Sequence, residues 1–432
     1  MRHELPRGWA EKRLGEVLHL VNGFAFKPSH WGKKGLPIIR IQNLNNPKAP
    51  FNYCKDVLPE KVRVKNGDLL FAWSGTPGTS FGAHIWNGGD AWLNQHIFRV
   101  EFDCRLFDKS FLRHAINLNL DHYISQAHGG AGLAHITKGM FEASKLWIAP
   151  IAEQRRIVAK LETLLGKVGT CQQRLTKVPI LYKRFRQAVL GAACSGRLTA
   201  DWRESHPQED WVNVRIKDVA PDISYGYTAR ASEDPSGVKF LRITDIQNGK
   251  VDWEAVPYCK IPASRFCHFS LMDGDILFAR TGATTGKSLL IKSCPEAVFA
   301  SYLIRVRTGE RSTPDFLHLF FQSDNYWYQV SEKIAGSAQP NCNAKKLANL
   351  SLMLPSIEEQ QEIVRRVKAL FALADQIEIR YDKALDHIDR FNKALFARAL
   401  RGELVVAETE IASAEGREFE SASDLLARIG AN

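Results

Sequence analysis

The stretch GATTGKS at residues 282–288 has the makings of a phosphate cradle, because glycines let backbone amides turn toward an anion and a following Lys-Ser pair can meet its charge and its magnesium. The spacing argues against it. A P-loop holds four residues between its glycines and this stretch holds three, so the ring of amides is one short. The matching stretch GTPGTSF at 75–81 lacks the Lys-Ser pair altogether. GTSFG at 78–82 has the spacing of a nucleophile elbow, which needs a strand before the serine and a helix after it. Glycines and Pro77 precede it and AHIW follows as a strand, so a hairpin loop is expected. The turn by which amino-methyltransferases hold a flipped base carries adjacent prolines, and none of the 18 prolines touches another. The commonest magnesium nucleases place a carboxylate two residues before a lysine, and neither Asp-x-Lys nor Glu-x-Lys occurs. The thirteen histidines are dispersed without an HExxH or similar metal pair, so no metal ligands are expected. No catalytic residue is assigned.

Reading duplex DNA needs a different set of groups: bidentate donors on projecting loops to meet base edges, such as Arg for guanine and Asn or Gln for adenine, with Lys and Arg around them for phosphates. Candidate loops in the first half are KPSHWGKKG (27–35), SGTPGTSFG (74–82) and AHGGAGLAHITK (127–138), and in the second SYGYTAR (224–230), ARTGATTGK (279–287) and AGSAQPNCNAKK (335–346). They supply Lys33, Lys34, Ser74, Thr76, His128, His135 and Lys138 on one side. On the other they supply Tyr227, Arg230, Arg280, Thr281, Lys287, Gln339, Asn341, Asn343, Lys345 and Lys346. Arg40 and Arg242 occupy one strand position in both halves and are expected to support the fold instead.

The charge balance agrees with such a ligand. The 432 residues carry a net charge of +11. An acidic tail over 407–432 holds more carboxylates than arginines, leaving the preceding body more basic still, as suits a phosphate-rich partner. A hydrophobic content of 45% with 24% charged residues is that of a folded protein, and the length implies more than one domain. Eight cysteines without a CxxC pair spell neither a zinc site nor a disulfide framework. With no signal peptide and no membrane-length apolar run, a soluble cytoplasmic protein is expected.

The elements that must position these loops come in two copies. Trp9 with Leu14, Glu16 and Val17 returns as Trp211 with Ile216, Asp218 and Val219. IIRIQNL (38–44) returns as FLRITDI (240–246), NGDLLFAWSGT (66–76) as DGDILFARTGA (273–283), and FRQAVLGAACSGRL (185–198) as FNKALFARALRGEL (391–404). Short apolar runs between glycines and prolines predict strands, and 111–126 and 315–334 have helical spacing, so each globular part is α+β.

The last quarter of each copy carries a heptad seam. It runs through Ile157, Leu161, Leu164, Val168, Cys171, Leu175, Val178, Tyr182, Phe185 and Val189, and again through Ile363, Val367, Leu370, Ala374, Ile377, Tyr381, Ala384, Ile388, Phe391 and Leu395. Two equal seams are expected to pair as an antiparallel coiled coil. Pro179 predicts a kink or break in the first helix, whereas Leu385 leaves the second straighter.

Each copy closes with a Pro-x(2–3)-Glu-Gln turn into its long helix, PIAEQRRIV at 150–158 and PSIEEQQEIV at 355–364. With KRFRQAVLGAACSGRLTADW (183–202), EIVRRVKALFALAD (362–375) and RGEL (401–404), nearly the whole chain resembles the specificity subunit of type I restriction-modification systems. The resemblance implies two pseudo-symmetric target recognition domains at 1–150 and 203–355, helical regions at 151–202 and 356–406, and the tail at 407–432. It implies a non-catalytic subunit that reads a split double-stranded DNA target, one domain per half. The helices would set the gap and hold two DNA methyltransferase subunits. S-adenosylmethionine, ATP and Mg2+ would belong to those partners and to motor-nuclease restriction subunits. A self-sufficient DNA-modifying enzyme, disfavoured by the missing motifs, and a coiled-coil scaffold without DNA specificity are the competing classes.

Overall fold

The computed structural model describes all residues except 1–3, 47, 76–80, 119–133, 207–208, 248, 281–284, 335–342 and 431–432. The chain divides into two compact units, Met1–Gln173 with Ala384–Asn432, and Arg174–Lys383. In the first, a four-stranded antiparallel sheet runs in the order Leu18–Asn22, Ile97–Phe102, Leu69–Ala72, Gly82–Ile85. A second sheet runs Asn52–Cys54, Leu36–Ile39, Ala91–Leu93, Arg63–Val64, its middle pair parallel. Leu69 and Phe71 point into the core beneath helix Lys109–Leu118, while Leu70 and Ala72, on the opposite face by strand alternation, pack with Ile39 and Leu93.

The second unit repeats this plan. Its main sheet runs Asp222–Tyr225, Leu303–Arg307, Ile276–Ala279, Ser288–Leu290, beside a three-stranded sheet of Tyr258–Cys259, Val238–Leu241 and Ala297–Phe299. The two copies agree in register: Asn22 faces Phe98 as Tyr225 faces Ile304, and Ala72 faces Ile97 as Ala279 faces Leu303. Just beyond the first strand of each sheet a glycine is obligatory. A Cβ on Gly23 would lie 2.1 Å from the Asn94 carbonyl oxygen, and one on Gly226 2.3 Å from those of Phe299 and Ala300. The chain enters and leaves each sheet domain at one point, where Leu14 N–H donates to the Ser144 carbonyl at 2.8 Å and Ile216 N–H to that of Leu350 at 2.9 Å.

The predicted 111–126 helix begins at Lys109, is described as far as Leu118, and otherwise lies outside the described residues. The predicted 315–334 helix is two, Pro314–Phe320 and Asp324–Ile334. Ser323 ends the first by donating its hydroxyl to the Phe320 carbonyl and starts the second by accepting Tyr326 N–H.

The long helices behave as proline chemistry dictates. The first runs over Ile151–Leu175 and restarts as Val178–Cys194, with Pro179 in the opening turn, where its missing donor costs nothing. The helix of the second copy, Ile357–Leu400, contains no proline or glycine and continues for 44 residues, about 66 Å at 1.5 Å per residue. Pairing is antiparallel. In the second unit Arg366 meets Asp201, Arg186 lies over Phe371 and bonds Asp375, and Tyr182 bonds Glu378, so one helix descends as the other climbs. In the first, Ile157 and Leu161 share a core with Leu395 and Ala399. The seam is not uniform. Ile157, Leu161, Val189, Ile363, Val367, Ala374 and Leu395 are buried, and Leu164, Val168, Leu175, Leu370 and Ile388 half-buried. Phe185, Ile377 and Phe391 depart from the expectation, being 37%, 42% and 46% exposed, and Cys171 is exposed as well. Spacing puts these residues on one face without fixing what covers that face.

The Glu-Gln signature bolts each long helix to its sheet domain. Gln154 donates to the carbonyls of Leu106 and Ala149 and accepts Asp108 N–H, and Gln360 repeats this with Arg311, Pro355 and Thr313. Glu153 accepts the Trp9 indole N–H at 3.0 Å and Glu359 that of Trp211 at 2.8 Å. All four polar side chains are fully buried, so each bond left unmade would carry a desolvation cost. The second carboxylate oxygen of Glu153 accepts Glu408 N–H, whereas Glu359 takes its further bonds from Thr199 and Arg203. The expected acidic tail is thus part of the first unit. Glu408 is buried between Arg156 and Arg417 at the start of helix Glu408–Glu415, and helix Ala422–Gly430 brings Ala422 and Leu425 into the core.

His114 lies on Lys109–Leu118 and His318 on Pro314–Phe320, one position apart in the matched helices, and burial pushes both down to about 4. A histidine held neutral in the fold takes up its proton more readily unfolded. Its contribution is therefore present above the unfolded value of about 6.5 and is lost as pH falls toward about 4. The melting temperature is expected to drop between pH 7 and pH 5, and the drop should shrink in a H114Q/H318Q double variant. An equal drop in that variant would assign the acid lability elsewhere.

Candidate nucleic-acid interface

The described ends of the two motif-like stretches lead into sheet strands. Ser288–Leu290, after GATTGKS, is a strand paired with Ile276–Ala279, and Gly82–Ile85, after GTSFG, is a strand paired with Leu69–Ala72. Neither leads into the helix that a P-loop or nucleophile elbow requires. Among the described residues no group of three or more His, Cys, Asp or Glu is placed to hold a metal ion, and the seven described cysteines are free.

In the second unit three loops distant in sequence converge at one end of the main sheet. Arg280 follows the strand Ile276–Ala279, and its guanidinium lies over the ring of Tyr225, 5.0 Å from the centroid. The Tyr225 hydroxyl accepts Ala344 N–H at 3.1 Å. Asn343 caps the helix Ala344–Ala348 by accepting Lys346 N–H, so its side chain serves the helix start, and Lys345 and Lys346 ride on that helix. Lys287 stands across the hairpin, its carbonyl accepting Ala279 N–H and its side chain exposed. This end thus gathers Arg280, Asn343, Lys345, Lys346 and Lys287. Thr281, Gln339 and Asn341 lie outside the described residues. Tyr225, the residue on which this end is built, was passed over in the sequence because it reads as a loop residue, yet it closes the strand Asp222–Tyr225.

The first unit joins the corresponding elements with other side chains. Ser74 is buried and faces His135 in a short strand pair, and Lys138 donates to the Leu20 carbonyl at 3.3 Å while pairing with Glu142. Thr137 caps the helix Lys138–Ala143 where Asn343 caps its counterpart. Where the second unit has Arg280 on Tyr225, the first has Trp73 and Asn22. Trp73 turns inward, donates to the Gln95 carbonyl and stacks on Phe98. Thr76 and His128 lie outside the described residues.

Four candidates stand apart from these ends. Lys33 and Lys34 are exposed on the turn before Leu36–Ile39, on the second sheet. Beside them Trp31, 46% exposed under the Arg40 guanidinium, is a surface aromatic that the charge-based reading overlooked. Arg230 is exposed on the loop before the Ser232–Tyr258 bridge. Tyr227 is a packing residue: it bridges to Ala300, lies against Phe269 and beneath Arg265, and corresponds to Phe24, which bridges to Asn94. Arg40 and Arg242 each donate their backbone N–H to the side chain three residues on, Asn43 and Asp245, and Arg242 adds an ion pair to Asp245.

The fold therefore defines a class: a duplicated α+β domain on an antiparallel helix pair, with a cationic loop end on the second copy's sheet. The family of the type I restriction modification DNA specificity domain matches twice, over residues 6–179 and 208–385. The chain is similar to the specificity subunit of type I restriction enzyme EcoBI from Escherichia coli, 31% identical over 92% of this chain and 86% of that one. It is also similar to the EcoKI specificity subunit from Escherichia coli strain K12, at 29% identity over 93% of this chain and 90% of the relative. In fold it is similar to the HsdS subunit from Thermoanaerobacter tengcongensis, with a TM-score of 0.61 and 19% identity over 93% and 99% of the two chains. A chain from a study of complex assembly and conformational transition of the type I R-M system gives 0.67 and 19% over 93% and 100%. The chain belongs to the type I restriction-modification DNA specificity family. Among the described residues no helix is long and apolar enough to cross a membrane.

Proposed function

We propose that the chain reads a bipartite duplex DNA target, one sheet domain per half-site, and leaves the chemistry to partner subunits. The observation that carries this reading is the duplication itself: two domains of one fold, each closed by a single backbone bond at Leu14–Ser144 and Ile216–Leu350, ending in loops whose side chains differ between copies. A shared catalytic centre would require the same groups in both. Readers of two unlike half-sites require the same frame with different groups. Two methyltransferase subunits, bringing S-adenosylmethionine, dock on the helical regions, and motor-nuclease subunits using ATP and Mg2+ join them. The half-buried and exposed apolar residues of the seam, Phe185, Ile377 and Phe391 among them, supply surface for such docking.

The test is binding with and without the methyltransferase subunit. Alone, the basic chain is expected to bind any duplex weakly, with log K falling linearly against log salt as counterions are released. With its partner it is expected to prefer one split sequence, identified by mapping methylated positions in genomic DNA of cells that carry the complex. Transfer of methyl groups by the lone chain, or indifference of its DNA binding to salt, would overturn the reading.

A further inference from the structure

We propose that Arg280 is a base-reading residue of the second domain, held over Tyr225 so that its terminal guanidinium nitrogens meet O6 and N7 of one guanine in the half-site. This rests on the function proposed above and adds to it one residue and one base. The side chain is built for aim. Its guanidinium is placed over the Tyr225 ring, and the ring is set by a strand pair to Ile304 and by the Ala344 N–H on its hydroxyl. Its backbone is set by donation to the Tyr302 carbonyl. Stacking of a guanidinium on an aromatic face removes rotamer freedom before any partner arrives.

The donors left for a partner are specific. The Arg280 Nε is enclosed and has no hydrogen-bond partner among the described residues, so the side chain offers its far edge, the two terminal nitrogens. Among those residues Arg280 joins no carboxylate, whereas Arg242, Arg305, Arg307 and Arg366 all do. Two parallel donors at a guanidinium edge match the two acceptors that guanine alone presents side by side in the major groove. Lys345 and Lys346 lie on the helix whose first N–H the Tyr225 hydroxyl accepts, and bring charge suited to phosphates to the same end of the sheet. The first domain carries Trp73 at the equivalent place, turned into its own core, so this group belongs to one half-site only.

The experiment uses the full chain with its methyltransferase partner and follows binding to duplexes in which each base pair of the mapped target is changed in turn. Arg280→Lys keeps the charge and loses the fork; Arg280→Ala loses both. Arg280→Ala is expected to lower affinity for the intact target roughly ten- to a hundred-fold and to abolish discrimination at one G·C pair of the second domain's half-site, and Arg280→Lys, which keeps a donor but not the planar fork, to weaken both less. The other half-site should be read as before and the salt slope kept. Replacing that guanine by 7-deazaguanine should weaken the wild type and leave Arg280→Ala unaffected. Tyr225→Phe is expected to retain discrimination at that pair, and Tyr225→Leu to blur it. Unchanged discrimination, or a uniform loss across all sequences with a salt slope shallower by about one, would overturn the proposal and make Arg280 a bystander or a phosphate contact. A wild-type complex without sequence preference would instead sink the function on which the proposal rests.

Discussion

Glu359→Gln is expected to destabilise the second unit by about 3 kcal/mol, whereas Glu153→Gln should cost the first unit no more than about 1 kcal/mol, although the two residues hold the same place in the duplicated fold. Glu359 is fully buried and answers three donors, the Trp211 indole, the Thr199 hydroxyl and the Arg203 guanidinium. An amide there turns a donor toward one of them in either orientation and leaves Arg203 without its counter-charge, and removing one partner of a buried pair is among the costlier substitutions. Glu153 answers two neutral donors, the Trp9 indole and Glu408 N–H, and among the described residues no cation bonds it, Arg156 acting on it only through space. Burial raises its pKa, so its charge is already a burden on the fold and losing it offsets part of the lost bond. Hydrogen exchange, read separately in the two units, measures both effects without assuming a single unfolding transition. Equal losses would show that the carboxylate charge contributes nothing at either site.

What could be read from the sequence was what the fold forces both copies to share. Trp9 and Trp211, Glu153 and Glu359, and Gln154 and Gln360 recur because each pair makes one buried set of bonds, and any other residue would leave a donor or acceptor unmet. Pro179 was legible for a local reason, since a missing N–H acts wherever it stands. The exposure of Phe185, Ile377 and Phe391 was not, because a heptad states which residues share a face and says nothing of what covers it. The same limit applies to the loops. Lysines and asparagines in a turn read alike, and only packing distinguishes Asn343, spent on a helix cap, from Arg280, laid on a ring. One clue was present: FAWSG at 71–75 against FARTG at 278–282 sets Trp73 opposite Arg280 within an otherwise matched strand. An unlike pair in a like frame is where two readers of different sequences should differ.

The structure also sharpens where those readers can be exchanged. A cut at Trp211 would separate Val212–Arg215 from its antiparallel partner Ser351–Leu354, leaving one parental strand to pair with a foreign one beneath the Trp211–Glu359 bond. Residues 216–350 avoid this, because the Ile216 N–H to Leu350 carbonyl bond closes the domain at its own neck. Both strands of the collar then remain native. Replacing 216–350 with the matching segment of another family member is expected to yield a folded chain whose complex methylates a target with one half replaced and the other retained. Residues 14–144, closed by the Leu14–Ser144 bond, should exchange the other half in the same way. On the function proposed above, the effect is a change of specificity rather than a graded loss, because each half-site would be read by groups that lie wholly within one exchanged segment. Methylation mapping of cells carrying each chimera decides it. A chimera that altered both halves, or a pair of exchanges that altered the same half, would refute the assignment of one domain to one half-site.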